Sequence, residues 1–474
     1  MKTFMLSVVV GLAACWNLHA GGTDLETLAC QAVSVDPEAS ASAIAALRAK
    51  GPEGLEALIR VNDAALKSWA SNPDMDGDPS WKRVRAALDA VGQQHDCHVS
   101  HLYWHTDMEE AKSAAAKAGG KPILSLRMLG KLDEDCSCAN SRFFRTTLYS
   151  NAEISKYLRE HFILHWKSVR PVPKITVDFG DGRRIERTVT GNSAHYLLDA
   201  QGRVLDVLPG LYGPKAFLRQ LTEAEAICKE CQGKDDASRL ALLKSYHGRQ
   251  NDVIAAAWSH DVEKIGGHGL SQPSAGLQLV SNTPTARQAA VVAVGKGAFE
   301  KVMIGAMETH RNTWGQSMDD RSWAAMAALH AEDAVLDASS VALIRSKNPP
   351  AAEAAKLALT KSRVENPLVR VVNNFQRSIA EDTVRNEYLL HSRIHEWLAG
   401  SFAAMEVDAL NEKVYAELFL TPSSDPWLGL VPQDTYTALD NDGLVRAPGN
   451  KRRTRRLGLR SQCCFGVGGS VSLR

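Results

Sequence analysis

Two cysteines two residues apart, Cys136 and Cys138, stand just before a stretch that reads as helix, with Ser141 three residues after the second. A thiol at a helix start meets unpaired backbone N–H groups and the positive end of the helix dipole, and both favour thiolate, the nucleophilic form of cysteine. In this C-x-C arrangement Cys138 would attack and Cys136 would resolve. A disulfide between residues i and i+2 is strained and therefore easily reduced. Asp133, Glu134 and Asp135 crowd the same loop, and negative charge there opposes thiolate formation. A second pair, Cys228 and Cys231, has C-x-x-C spacing. It reads as a local disulfide in an oxidising compartment, as a second redox centre, or as half of a zinc site, which would need four ligands.

Histidines gather in two places. His95, His98, His101 and His105, together with Cys97, fall within eleven residues and read as surface and packing histidines. Glu387, His391 and His395 recur at i, i+4 and i+8 on a helix, which puts them on one face. With Arg385, Arg393 and Glu396 around them the expectation is a solvated polar face, and no metal site is assigned. The Glu-between-histidines pattern of zinc proteases is absent. No phosphate-binding glycine loop, Ser-His-Asp order or paired-carboxylate motif stands out, so no cofactor is implied.

The elements that must position these groups follow from periodicity. Residues 21–98 read as helical, with Leu55, Leu58 and Ile59 at helical spacing and a polar break from Ser71 to Pro79. Asp107 to Ala118 is a helix closed by Gly119-Gly120. Pro122 to Leu126 is a buried strand, Ser137 to Leu148 and Asn151 to His161 are helices, and Phe162 to Trp166 is a second strand. Ile175 to Phe179 and a Gly-Asp-Gly turn follow. A hairpin then runs from His195 to Leu208 through Asp199-Ala200-Gln201-Gly202, and Pro214 to Leu221 is a closing helix. This alternation predicts an α/β sandwich. Residues 223–420 read as mostly helical, with alanine-rich segments near 286–308, 321–345 and 351–363. Residues 421–474 read as irregular, and Lys451 to Arg456 form a basic run.

The chain has 474 residues, 45% of them hydrophobic and 23% charged, and a formal net charge of +1. Such a balance gives no whole-chain attraction for nucleic acid. Lys2 followed by the apolar run from Phe4 to Ala14 reads as an export signal. It ends either at Leu18-His19-Ala20 (segment 1–20) or at Leu12-Ala13-Ala14 (segment 1–14), a lipobox-like site that would leave a lipidated Cys15 as membrane anchor. The expected location is the periplasm or cell envelope, where disulfides persist, and Cys30–Cys97 is one plausible pairing.

The order of strand, cysteine-bearing loop, two helices, strand, hairpin and final helix over residues 99–222 resembles the thioredoxin superfamily. Cys136 to Trp166 is also similar to exported thioredoxin-like proteins of bacterial type. The resemblance implies an α/β thioredoxin-like domain flanked by mostly α-helical N- and C-terminal regions. Cys138-Ala139-Asn140-Ser141 corresponds to the C-x-x-S motif of monothiol relatives, with Ser141 where the family usually has a resolving cysteine. The family's cis-proline position falls on Ala194. Two functions are open on this reading. One is an exported thiol–disulfide oxidoreductase acting on protein or small-molecule thiols and disulfides through Cys138, Cys136 and Ser141. The other is a redox-inactive binding or scaffold protein of the envelope.

Overall fold

The N-terminal stretch forms a layer of short helices, α1 (Asp24–Ala32), α2 (Pro37–Ala49), α3 (Pro52–Val61), α4 (Asp63–Ser71) and α5 (Pro79–Gly92). Local chemistry sets their starts. The Asp36 side chain accepts from the Glu38 N–H to cap α2, and Asp78 accepts from Ser80 and Trp81 to cap α5, each ahead of a proline in the first turn. The polar break between α4 and α5 is a short 3-10 turn, Pro73–Gly77. Leu47, Leu55, Leu58, Trp69, Trp81 and Leu88 close this layer's core. The computed structural model describes residues 24–188, 192–266, 318, 320–348, 367–419, 421–426 and 428. The signal segment, Cys15, the segments 286–308 and 351–363 and the basic tail lie outside the described residues.

After a single turn, α6 (Cys97–Ser100), come α7 (Met108–Lys117), capped by Asp107, and then β1 (Ile123–Leu129). Helices α8 (Ala139–Thr147) and α9 (Ala152–His161) lead into β2 (Ile163–Arg170). The segment expected as one strand near Ile175 is a separate hairpin, β3 (Lys174–Asp178) with β4 (Arg184–Thr188), mostly exposed, with Val177 and Ile185 paired on its open surface. Strands β5 (Ser193–Leu198) and β6 (Val204–Pro209) complete a four-stranded sheet of order β2-β1-β5-β6. β1 runs parallel to β2, and β5 runs antiparallel to both β1 and β6. Every residue of β1, β5 and β6 is buried.

The fold is thus mixed α/β, mostly helical around one small sheet. Helix α10 (Pro214–Cys231) packs on β5 and β6 and continues past residue 222, so the sheet region and the helical region that follows share one helix. The rest comprises α11 (Asp236–Lys264), α12 (Asp320–Leu329), α13 (Ala338–Lys347) and α14 (Pro367–Arg385). A π-helical turn (Asn386–His391) leads into α15 (Ser392–Ala399), and α16 (Val407–Lys413) leads into a second π-turn (Val414–Leu418). One hydrophobic core runs from Leu102 through the sheet to Phe419.

The tightest crossing in the N-terminal layer is at Gly54, where an added Cβ would lie 2.0 Å from the Leu47 carbonyl oxygen. Neither backbone can yield without separating α2 from α3. Gly54→Ala should therefore destabilise the protein by about 1–3 kcal/mol, read as a lower midpoint in denaturant unfolding followed by circular dichroism.

Candidate functional site

Cys138 is the N-cap residue of α8, as the helix-start argument requires, and its N–H donates to the Leu129 carbonyl at the end of β1 (3.2 Å). Its sulfur lies 2.8 Å from Ser193 Oγ, at the start of β5, and 3.3 Å from Ser141 Oγ. Ser141 in turn donates to the Cys138 carbonyl at 2.8 Å. The thiol thus sits where strand end, helix start and β5 meet, donating to Ser141 Oγ, while the Ser193 hydroxyl can either donate to the sulfur or accept from it. Cys136 is partly exposed in the loop before it.

The acidic loop does not face the thiol. Asp135 pairs with His95 (Oδ1–Nε2 2.7 Å) and Glu134 with Lys131 (3.4 Å). The buried Arg145 guanidinium donates to the carbonyls of Leu132, Glu134 and Asp135, holding the loop's backbone. The Arg142 guanidinium lies close enough to both Cys138 and Cys136 to couple to them electrostatically. Sequence spacing gives three acids near the cysteines; only the fold turns the Asp135 and Glu134 carboxylates to His95 and Lys131 and brings Arg142 in.

Cys138 is nonetheless fully buried. Tyr415, from the far end of the chain, lies in the same buried cluster. Tyr415 Oη donates to the Asn192 carbonyl (3.1 Å), Asn192 Nδ2 to Thr421 Oγ1 (2.9 Å), and Arg170 to the carbonyls of Thr421, Pro422 and Asp425 (2.8, 3.4 and 3.1 Å). Asp408 ties the same segment to Arg127 (2.8 Å) and Lys167 (3.0 Å) at the ends of β1 and β2. Residues 407–419 and 421–425 therefore form a strap across β1 and β2 beside the thiol. Ala194 lies within β5, paired with Arg127, and no cis peptide occurs among the described residues.

The other expected cysteine pairings are not formed. Neither a Cys30–Cys97 nor a Cys228–Cys231 disulfide is present among the described residues. Cys97 is buried against Gly92, with Sγ 3.6 Å from the Leu102 carbonyl oxygen. Cys228 and Cys231 are both buried in the unbroken last turn of α10. A regular helix holds side chains at i and i+3 about 5–6 Å apart at Cβ, wider than the ~3.5–4.5 Å a disulfide bridges.

The Glu387–His391–His395 face is buried, not solvated, because β6 and α11 pack over it. His391 Nε2 lies 3.3 Å from both oxygens of Asp206, and its Nδ1 lies 3.1 Å from Glu387 Oε2. Burial opposes protonation of His391, but the Asp206 and Glu387 carboxylates outweigh it and raise its pKa to about 10. His395 Nδ1 lies 2.8 Å from Nδ1 of His247, a residue that periodicity gave no reason to single out. In the N-terminal histidine group, His98 is packed edge-on between Trp69 and Trp81, and His105 pairs through its backbone with His165 beside β2.

Comparison with family models, with curated proteins and with solved structures returned no match. The geometry alone therefore carries the functional argument.

His95 lines a cleft with Arg85, Asp96, His98, Asp135 and Lys347. Burial disfavours its charge, but hydrogen bonds to Asp135 and Asp89 and the nearby Asp96 raise its pKa from 6.5 to about 9. A folded-state pKa above the unfolded one adds stability that is complete below the unfolded value and fades as pH rises through the folded value. The unfolding free-energy gap between wild type and His95→Gln should thus be flat below pH 6.5 and close by about pH 9. Its size should be on the order of 2 kcal/mol, allowing for solvent at the exposed Asp135. Denaturant titrations across that range check it.

Proposed function

We propose that this chain is an exported, thioredoxin-like thiol–disulfide oxidoreductase with Cys138 as nucleophile and residues 407–419 and 421–425 as a strap that closes the site. The observation that carries the reading is the placement of the Cys138 sulfur at the start of α8, between the Ser141 and Ser193 hydroxyls. The sheet order β2-β1-β5-β6, with β5 opposed to its neighbours and α8 following β1, supports the thioredoxin-like assignment. The Arg142 cation beside both cysteines is consistent with the redox reading.

Chemically, the Cys138 thiolate attacks one sulfur of a substrate disulfide, forming a mixed disulfide and releasing the other sulfur as thiolate. The Cys136 thiolate then attacks Cys138 Sγ, forming a Cys136–Cys138 disulfide and releasing the second substrate thiolate. Two electrons pass from the cysteine pair to the substrate, and an external thiol must re-reduce the pair. Because Cys138 is fully buried, the first step needs the strap to move. The second reading, a redox-inactive envelope scaffold, rests on that same burial.

Thiol alkylation followed by mass spectrometry, together with insulin disulfide reduction, separates the two. Cys138 should react slowly in the wild-type chain and at least ~10-fold faster in Arg170→Ala or Asp408→Ala, which loosen the strap. Insulin reduction should follow the same order and vanish in Cys138→Ser. Turnover indifferent to Cys138→Ser, or no turnover even in the loosened variants, would leave the scaffold reading.

A further inference from the structure

Four buried side chains from separate stretches of chain converge behind the sheet: Asp206 on β6, His247 on α11, His391 at the end of the π-turn and His395 on α15. None is more than 1% exposed. One ligand-capable atom each from Asp206, His391 and His395 all lie within 4.8 Å of one another. His391 Nε2 is 3.3 Å from each Asp206 oxygen, and His395 Nδ1 is 3.9 Å from Asp206 Oδ1. Two ligands ~2.0–2.1 Å from a tetrahedral zinc stand about 3.3–3.4 Å apart. The Asp206–His391 edge already has that length, and the Asp206–His395 edge, at 3.9 Å, exceeds it by about half an ångström.

Two further observations point the same way. Glu387 Oε2 lies 3.1 Å from His391 Nδ1. A carboxylate taking the N–H of one ring nitrogen leaves the lone pair of the other directed at the centre, the usual outer support of a metal-bound histidine. His247 and His395 set their Nδ1 atoms 2.8 Å apart. A cation that displaced the proton between them would take both nitrogens as ligands once that contact opened to a tetrahedral edge. The π-turn over Asn386–His391 places Glu387 and His391 for this role, and such turns gather at functional positions.

We propose that Asp206, His391, His395 and His247 hold one divalent transition-metal ion of the zinc class, in a closed structural site that ties β6 to α11 and to the 386–399 helix. Three imidazoles and a carboxylate suit zinc, whereas calcium and magnesium take oxygen ligands. Complete burial leaves no open coordination position for substrate, which makes the site structural rather than catalytic. The site is separate from Cys138, so this inference and the redox reading stand or fall independently.

The test uses the full chain, stripped with chelator and reloaded with Zn(II) or Co(II). One ion per chain should survive desalting, and the melting temperature should rise on loading. The Co(II) form should show the intense visible bands of four-coordinate cobalt with no thiolate charge-transfer band. Glu387→Gln should weaken binding about 10–100-fold. His395→Gln and His391→Gln should lose the ion, while Cys228→Ser/Cys231→Ser should keep it. A wild-type chain that elutes metal-free, a weak six-coordinate cobalt spectrum, or full retention by a folded His395→Gln would overturn the proposal. The wild-type spectrum decides the matter even where a histidine variant does not fold.

Discussion

The sheet is buried along the whole of three of its four strands, and the rest of the molecule answers to that constraint. A strand that is covered on both faces must find partners inside the protein for the charges it carries, because an unpaired buried charge costs several kcal/mol. β1 carries Arg127, β5 carries Ser193 and His195, and β6 carries Asp206, all nearly inaccessible. Their partners come from chain that is distant in sequence. Arg127 meets Asp408, and Asp206 meets His391. His195 meets Tyr149 Oη at 2.6 Å, and burial holds its pKa down near 3, so it stays neutral.

This constraint explains why the C-terminal helices share a core with the sheet instead of forming a body of their own. Leu389, Ile394, Leu410 and Leu418 belong to the same apolar cluster as Leu124, Leu197 and Val207. Apolar burial supplies most of the cohesion, while the polar pairs fix which helix lies over which strand. Gly210 shows how close that fit is. An added Cβ there would lie 2.5 Å from Asn386 Nδ2, and the Asn386 amide donates to the Leu211 carbonyl at 2.8 Å.

The two sites are consequences of the same packing at different places on the sheet. At the end of β1 a buried thiol sits at a helix start with the C-terminal segment beside it, so its position and its surroundings come from different parts of the chain. Behind β6 the covering helices bring three imidazoles to one carboxylate. Fold alone assigns no activity to either; the chemistry lies in the side chains that each covering segment supplies.

Much of the local order was legible in the sequence. Asp107 and Asn151 mark helix starts because their side chains accept from N–H groups two or three residues on, an interaction local in sequence. The apolar run after Pro122 reads as a buried strand, and Cys138 reads as a helix start, for equally local reasons. What the sequence could not convey was which surfaces would be covered. Glu387, His391 and His395 have the spacing of one helix face whether that face meets water or Asp206. Asp135 is close to the cysteines in sequence whether it points at the thiol or at His95. Those outcomes depend on contacts between residues as far apart as Arg127 and Asp408, and periodicity along one segment holds no information about what packs against it. The sequence therefore determined the elements and the candidate chemistry, and tertiary packing decided the burial, and with it which of those groups can act.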